Sequence, residues 1–179
     1  MGNLENGEIR LRALEPEDLE LLYEWENNDL FWADGNSIAP YSRFVLRQYI
    51  EQQSLDIYAL KQLRLMIELK DEQRAIGTID LFDFDPHHSR AGVGILVDTK
   101  YQSKGYASQA LALLCIYAFR LLNLHQLYCH VNEGNVASIR LFQKAGFVEC
   151  GCLKSWNRKG NEWQNCFMFQ KIDDKNLSE

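Results

Sequence analysis

Tyr101–Leu122 reads YQSKGYASQALALLCIYAFRLL, and the parsing of that stretch decides the fold. Its opening, Gln102-Ser103-Lys104-Gly105-Tyr106-Ala107, puts a glycine where a side chain would obstruct an approaching group. Between Tyr106 and Leu122 the only strongly polar side chains are Ser108, Gln109 and Arg120. That pattern predicts a central helix, buried nearly all round and ended at Asn123. Before it, Arg90–Val97 reads as a strand, with Val93–Val97 buried and Asp98 closing it. Strand, short glycine loop and helix N-terminus together form a geometry for holding phosphate. The first helical N–H groups lack intrahelical acceptors, the macrodipole places partial positive charge there, and Lys104 adds a full charge. A glycine between strand and helix is more often only a turn. The chain contains no G-x-x-x-x-G-K-[ST] loop and no third glycine to complete a Rossmann fingerprint. Gly92 and Gly94 lie inside the strand and mark a bulge or a close backbone approach.

A length of 179 residues fits one domain, here taken as 1–179 with its core in 9–172. At 46% hydrophobic and 25% charged residues the chain reads as an ordinary globular protein. A net charge of −6 argues against non-specific nucleic-acid binding and favours a cationic small partner. No apolar run is long enough for a membrane span. The start, MGNLENGEIR, lacks the pattern of a signal peptide. The odd number of cysteines, Cys115, Cys129, Cys150, Cys152 and Cys166, placed in apolar segments, predicts reduced core thiols in a cytoplasmic protein. Cys150-x-Cys152 lacks zinc-site spacing, and no metal is expected.

Around the central stretch, Ile9–Leu14 alternates as a half-buried strand. Pro16-Glu17-Asp18 opens a helix that runs to Asn27-Asn28. Phe31–Tyr41 reads as a loop. Ser42 caps a second helix reaching Gln53, with Phe44, Val45, Tyr49 and Ile50 predicted inward. Leu63–Leu69 and Ala75–Phe84 form a hairpin about Lys70–Gln73, and Arg90–Val97 extends the meander. Gln126–Val131 is expected parallel to Arg90–Val97 through a right-handed crossover. A helix beginning at Glu133 or Asn135 turns Val136, Ile139, Leu141 and Phe142 inward and ends at Gly146. Phe147–Trp156 and Trp163–Ile172 close the chain as a hairpin.

Three signatures carry a resemblance. Gln102-x-x-Gly105-x-Ala107 fits a (Q/R)-x-x-G-x-(G/A) pyrophosphate loop. Asn132-x-x-Asn135-x-x-Ser138 followed by Phe142-Gln143-Lys144-Ala145-Gly146-Phe147 fits N-x-x-S-x-x-x-(Y/F/E)-x-K-x-G-F. The start, Ile9-Arg10-Leu11-Arg12-x-Leu14 with Pro16-x-Asp18, completes the set. Over residues 9–172 the chain resembles the GNAT superfamily of acyl-CoA-dependent N-acyltransferases. Within it, the chain is similar to the branch of spermidine/diamine N-acetyltransferases and ribosomal-protein N-terminal acetyltransferases. The resemblance implies an α+β, α/β/α layered fold with a mixed, mostly antiparallel sheet of about seven strands, splayed central strands and about four helices. It implies acetyl-CoA as co-substrate. The main chain of Ile95, Leu96 and Val97 would pair with the pantetheine arm, and an N–H near Leu96 would face the thioester carbonyl. N–H groups of Gln102, Ser103, Lys104, Gly105, Tyr106, Ala107 and Ser108 would hold the pyrophosphate. Asn135 and Ser138 would approach the cofactor near its sulfur, Lys144 its phosphates, and Asn132 and Phe142 of the same signature would also belong to the cofactor site. Asn135 is alternatively only a helix cap, and Ser138 only a solvent-facing residue.

Amide formation needs a base, an oxyanion donor and an acid, and the family transfers directly in a ternary complex. Many members carry a Tyr where Phe142 stands. Its missing hydroxyl leaves three alternatives: Ser138 or water as the acid, or an acid step of little weight. Asp80 is the candidate base. It lies three residues from Asp83, which a regular strand would turn to the opposite side. Relatives that act on polyamines have an acid where Gly92 stands. Glu26, Asp29, Trp32, Asp34 and Asp80 are expected to receive the amine, acids with an aromatic wall suiting a cation. The expected acceptor is a polyamine or diamine, with a protein N-terminal amine second. A non-catalytic acyl-CoA-binding sensor is the rival from another class. The apolar final hairpin allows a homodimer; no nucleic-acid or membrane partner is expected.

Overall fold

The computed structural model describes residues 4–28 and 39–173. Seven strands form one sheet in the order β1-β2-β3-β4-β5-β7-β6. They are β1 (Ile9–Ala13), β2 (Leu63–Leu69), β3 (Arg74–Asp85), β4 (Arg90–Val97), β5 (Gln126–Asn132), β6 (Val148–Lys159) and β7 (Glu162–Ile172). Every neighbouring pair is antiparallel except β4–β5. The α-helices among the described residues are α1 (Leu19–Glu26), α2 (Arg43–Gln52), α3 (Ile57–Leu60), α4 (Tyr106–Arg120) and α5 (Val136–Lys144). Short 3-10 turns, Pro16–Asp18 and Thr99–Tyr101, precede α1 and α4. None of the helices is long and apolar enough to cross a membrane.

The alternation of apolar residues on β1–β5 fixes two layers. One face carries Ile67, Ile79, Leu81, Val93, Leu127 and Cys129 and is closed by α4 and α5, through residues such as Leu111, Leu114 and Phe142. The other face is covered by α1 and α2 over Met66, Ala75 and Leu96, through Leu22, Trp25, Leu46 and Ile50. These helices start where the chain supplies caps. Asp18 accepts from Glu15 N at 2.9 Å, and Ser42 Oγ accepts from Val45 N at 3.2 Å. In α2, however, Phe44 and Val45 are exposed, and Leu46 with Ile50 supplies the buried stripe. Val136 likewise opens α5 on the outside. In α2 the helical period accounts for this, since Phe44 stands about 200° round the axis from Leu46, away from the Leu46–Ile50 stripe. Helix α3 was not anticipated; Asp56 caps it, accepting from Ala59 N at 2.9 Å.

The parallel pair β4–β5 is short. It joins Arg90, Ala91 and Gly92 to Gln126, Leu127 and Tyr128, and then the strands part. On its other side β4 lies tight against β3. A Cβ at Gly77 would stand 2.2 Å from the Leu96 carbonyl oxygen and 3.0 Å from Val97 Cα, both main chain. Gly77→Ala is therefore expected to lower the unfolding free energy by about 2 kcal/mol, because β3 and β4 must separate to admit the methyl group. A thermal melt reads this as a lower Tm; an unchanged Tm would show that the two strands are not held in this contact.

Candidate active site

The wedge between β4 and β5 and the start of α4 meet at one end of the sheet. The orientation of each peptide group on β4 follows from one bond. Asp98 N donates to Ile76 O at 2.9 Å. Counting back along the antiparallel register, in which Thr78 faces Leu96 and Asp80 faces Gly94, turns Leu96 and Gly94 toward β3. The Leu96 carbonyl beside Gly77 agrees with this direction. The expectation that Leu96 N–H faces the wedge is thereby corrected. Main-chain groups of Val93, Ile95 and Val97 face that side, and Leu96 is engaged with β3.

Asp98 then organises the loop. Its carboxylate accepts from Lys100 N at 3.0 Å and from the buried Trp25 indole at 3.2 Å, tying α1 to the end of β4. Gln102 does not turn its side chain outward: its amide nitrogen donates to Val97 O at 2.9 Å and clamps the loop to the strand. Ser103 (φ 62°) and Gly105 (φ 85°) are both left-handed, and Gly105 occupies the N-cap of α4, where no side chain caps the helix. A Cβ at Gly105 would meet no protein atom within 4 Å. The first N–H groups of α4, those of Tyr106, Ala107 and Ser108, follow directly on this uncapped position. Gln102, Ser103, Lys104 and Gly105 are exposed, and Lys104 Nζ lies 5.2 Å from the Tyr101 ring centre.

The second signature is tied into structure. Asn132 Oδ1 accepts from Asn157 Nδ2 at 2.6 Å, and Asn135 Oδ1 accepts from Ser138 N at 3.1 Å as the cap of α5. Phe142 is buried on the helical face, its ring 5.1 Å from that of Phe147. Lys144 stands at the far end of α5 from Asn135, in a groove it shares with Ile116, Phe119, Arg120 and Lys171. The same groove is also lined by Ser108 and Ala112, from the first half of α4.

On the face covered by α1 and α2, Asp80 is not a free carboxylate. Arg64, its register partner on β2, grips both its oxygens at 2.8 and 2.9 Å and reaches Glu26 at 2.5 Å. Arg64 also lies over the Tyr49 ring at 5.3 Å. Burial works to lower the Arg64 pKa, but Asp80, Tyr49 and Glu26 outweigh it and hold the guanidinium above its usual range. Burial pushes the Tyr49 phenol up to about 12. Asp83 sits in a bulge with φ 47°, and the register shifts between Phe82 and Asp85. The bulge overturns the alternation expected of a regular strand: it brings Asp83 within 3.5 Å of the Tyr128 hydroxyl. Gly92 makes room for a ring, since its Cβ would stand 2.3 Å from Phe82 Cε2. From there Phe82, Tyr128 and His130 run edge to face across the sheet at 6.0 and 5.7 Å. Gly94 has no comparable contact.

Asp29, Trp32 and Asp34, expected in the acceptor site, lie outside the described residues. The five cysteines are free, and Cys150 is exposed rather than in the core. Burial pushes the Cys129 thiol up to about 12, which removes it as a nucleophile. Sequence reading missed Arg64, Trp25–Asp98 and Tyr128. Arg64 was beyond reach of counting, because regular pairing outward from the Lys70–Gln73 turn sets it opposite Ile79, and the register shift between Ile67 and Glu68 brings it to Asp80.

The Acetyltransferase (GNAT) domain model matches residues 8–148. The chain belongs to the GNAT acetyltransferase family. It is an acyltransferase of the N-acetyltransferase type with that family's fold. Spermidine N(1)-acetyltransferase of Escherichia coli (strain K12) is 31% identical over 142 residues, 78% of this chain and 72% of that protein. The Vibrio cholerae spermidine N(1)-acetyltransferase is 30% identical over 151 residues, 83% of each. Among solved structures, spermidine N-acetyltransferase from Vibrio cholerae in complex with CoA and spermine is similar at a TM-score of 0.87 and 26% identity, covering 97% of this chain and 100% of that one. A dodecameric structure of spermidine N-acetyltransferase from Vibrio cholerae is similar at 0.82 and 27%, covering 97% and 98%.

Removing the cation from the Glu26–Arg64–Asp80 group leaves two carboxylates facing each other. Arg64→Met is expected to cost about 2–3 kcal/mol in urea unfolding, less than for a fully buried pair because the carboxylates are about a quarter exposed. Adding Asp80→Asn should recover part of that loss; strictly additive losses would show that the pair is not coupled.

Proposed function

We propose that the chain transfers an acetyl group from acetyl-CoA to a primary amine, by direct attack in a ternary complex, with a polyamine or diamine such as spermidine as acceptor. The observation that carries the reading is the N-terminus of α4. It has no side-chain cap, is fronted by open space at Gly105, and stands at the mouth of the β4–β5 wedge. Helix N–H groups and dipole suit a pyrophosphate, and Lys104 adds charge. The residues present therefore fit coenzyme A. In this reading Gln102 shapes the loop through Val97 rather than touching phosphate. Asn135 and Ser138 border the sulfur side from the start of α5. Main-chain groups of Ile95 and Val97 flank the pantetheine arm as an added strand would. One of those N–H groups, in place of Leu96, donates to the thioester oxygen as negative charge develops there.

Two observations support a cationic acceptor. The curated relatives reported above are spermidine acetyltransferases, and this chain puts Glu26, Asp80 and Asp83 on the sheet face opposite α4. In this reading Asp80 and Glu26 act as a charge-balanced wall of the acceptor side, since both oxygens of Asp80 are already held by Arg64. Asp29, Trp32 and Asp34 are kept as candidate acceptor contacts. The protein N-terminal amine stays as a second reading because Phe82, not an acid, fills the space over Gly92, which favours an acceptor with fewer charges. The unpaired cysteines suit a reducing compartment such as the cytoplasm. Exposed Trp156 and Trp163 on the last hairpin suit self-association of copies of the chain.

A spectrophotometric thiol-release assay with acetyl-CoA across spermidine, putrescine, an aminoglycoside and N-terminal peptides tests the order. Turnover is expected first with the polyamines. Activity on peptides alone would reverse the order, and CoA binding without any turnover would leave the sensor reading. Gly105→Val should lower CoA affinity by at least tenfold, because a branched side chain would enter the space before the helix amides. Unchanged affinity would refute the placement of the pyrophosphate.

A further inference from the structure

The half of the sheet that α1 and α2 leave bare holds a cavity of about 510 Å3. Asp83, Asp85, Arg90, Tyr128, His130 and Cys150 line it, and Met168 and Gln170 of β7 floor it. Its place in the fold is specific. Tyr128 faces Gly92 across the last paired position of β4 and β5. His130 is the next residue of β5 on that face, about 7 Å further along and therefore beside the wedge as it opens. The alternating Leu127, Cys129 and Val131 point into the helical layer and are buried. We propose that this cavity receives the acceptor amine and that the His130 imidazole takes its proton. The inference rests on the acetyl-transfer reading and names the acceptor side of that same site.

The charges favour an ammonium group. Two carboxylates face one guanidinium, and Arg90 is 3.3 Å from Asp85. Asp83 has the Tyr128 hydroxyl at 3.5 Å and no cation in the lining besides Arg90. The rings of Tyr128 and His130 give the positive group an aromatic wall. For the proton, the groups facing His130 are Asp83 and Asp85 from β3, Arg90 from β4, Tyr128 from β5 and Cys150 from β6; β7 contributes none that titrates. Arg90 has no basic form near neutrality. Burial and the Asp83 carboxylate push the Tyr128 phenol up, so it stays protonated. The Asp85 carboxyl is pulled down, first by the His88 N–H and then by charge, which makes it a poor base. Imidazole is the side chain whose ordinary pKa is matched to proton transfer near pH 7. Phe142 offers no hydroxyl, and its ring is buried on the other face.

The step balances without a further reagent. One proton passes from the ammonium to a nitrogen of His130, freeing the lone pair. That pair forms the C–N bond at the thioester carbon as the carbonyl π electrons move to oxygen. When the carbonyl re-forms, the C–S bonding pair leaves on sulfur. The remaining surplus N–H proton passes to the thiolate, and the imidazolium returns its proton to solvent.

The test compares full-length wild type with His130→Gln and Asp83→Asn. It measures kcat and kcat/KM for spermidine from pH 5.5 to 9.5, with acetyl-CoA affinity followed by calorimetry. His130 is exposed, so its replacement should leave the fold intact, checked by circular dichroism. Wild-type kcat/KM should rise through an inflection as the pH goes from acid to neutral. His130→Gln should lose about a hundredfold near pH 7 and lose that inflection, with acetyl-CoA affinity unchanged. Asp83→Asn should raise KM for the amine severalfold with little change in kcat. Wild-type turnover with His130→Gln retaining the same rate and profile would overturn the proton-transfer role. An unchanged KM in Asp83→Asn would overturn the cavity as the acceptor site. A wild type that binds acetyl-CoA and acetylates no amine would instead overturn the acetyl-transfer reading itself, and this proposal with it.

Discussion

The parting of β4 from β5 is the constraint on which the rest of the structure depends. Parallel strands need a crossover, and here α4 and its loop supply it. Three paired positions hold the strands together at one end. At the other, β4 is drawn to β3 by the close approach at Gly77, and β5 is fully paired with β7. The sheet is thus pulled two ways, and among the described residues no strand neighbours the open side of β4 over Val93–Val97. Buried peptide groups rarely remain unpaired. An extended molecule lying in the wedge would supply what the missing pairing does not, and this gives a physical reason for the proposed binding mode of a pantetheine arm.

A second constraint sets the position of the loop. Trp25 from α1, Asp98 from the end of β4 and Gln102 from the loop form a chain of hydrogen bonds: indole to carboxylate, and amide to the Val97 carbonyl. The two layers on either side of the sheet therefore meet at the glycine loop. Because α1 also carries Glu26, which Arg64 binds together with Asp80, a shift of the loop is coupled through one helix to the opposite face. In the proposed reading, the pyrophosphate side and the acceptor side share one support.

Much of this was legible in the sequence because it rests on period and punctuation. The alternation in β1 and the hairpins, the apolar run of α4, and Gly105 and Asn135 at helix starts all fixed element and order. What was not legible depends on tertiary geometry. Asp83 leaves the strand alternation only because a left-handed residue inserts a bulge, and no residue type announces it. Leu96 looked suited to the wedge by position, but the parity of its peptide group is set by register with β3.

Phe142 connects these points. On a helix packed into the core, phenylalanine and tyrosine differ by one oxygen, and here the ring lies against Phe147 with its surroundings apolar. A hydroxyl there would need a partner to offset its desolvation. The structure places its polar, titratable groups instead on the other face of the sheet, where Tyr128 and His130 stand over bare β5 and Asp83 is swung toward them by the bulge. Gly92 belongs to the same arrangement. Without a side chain there, Phe82 lies flat over β4 and completes the row of rings to β5. Absence of an oxygen on one face, absence of a side chain on β4 and an inserted residue on β3 are three local departures, and together they move the polar chemistry of the wedge to the acceptor side.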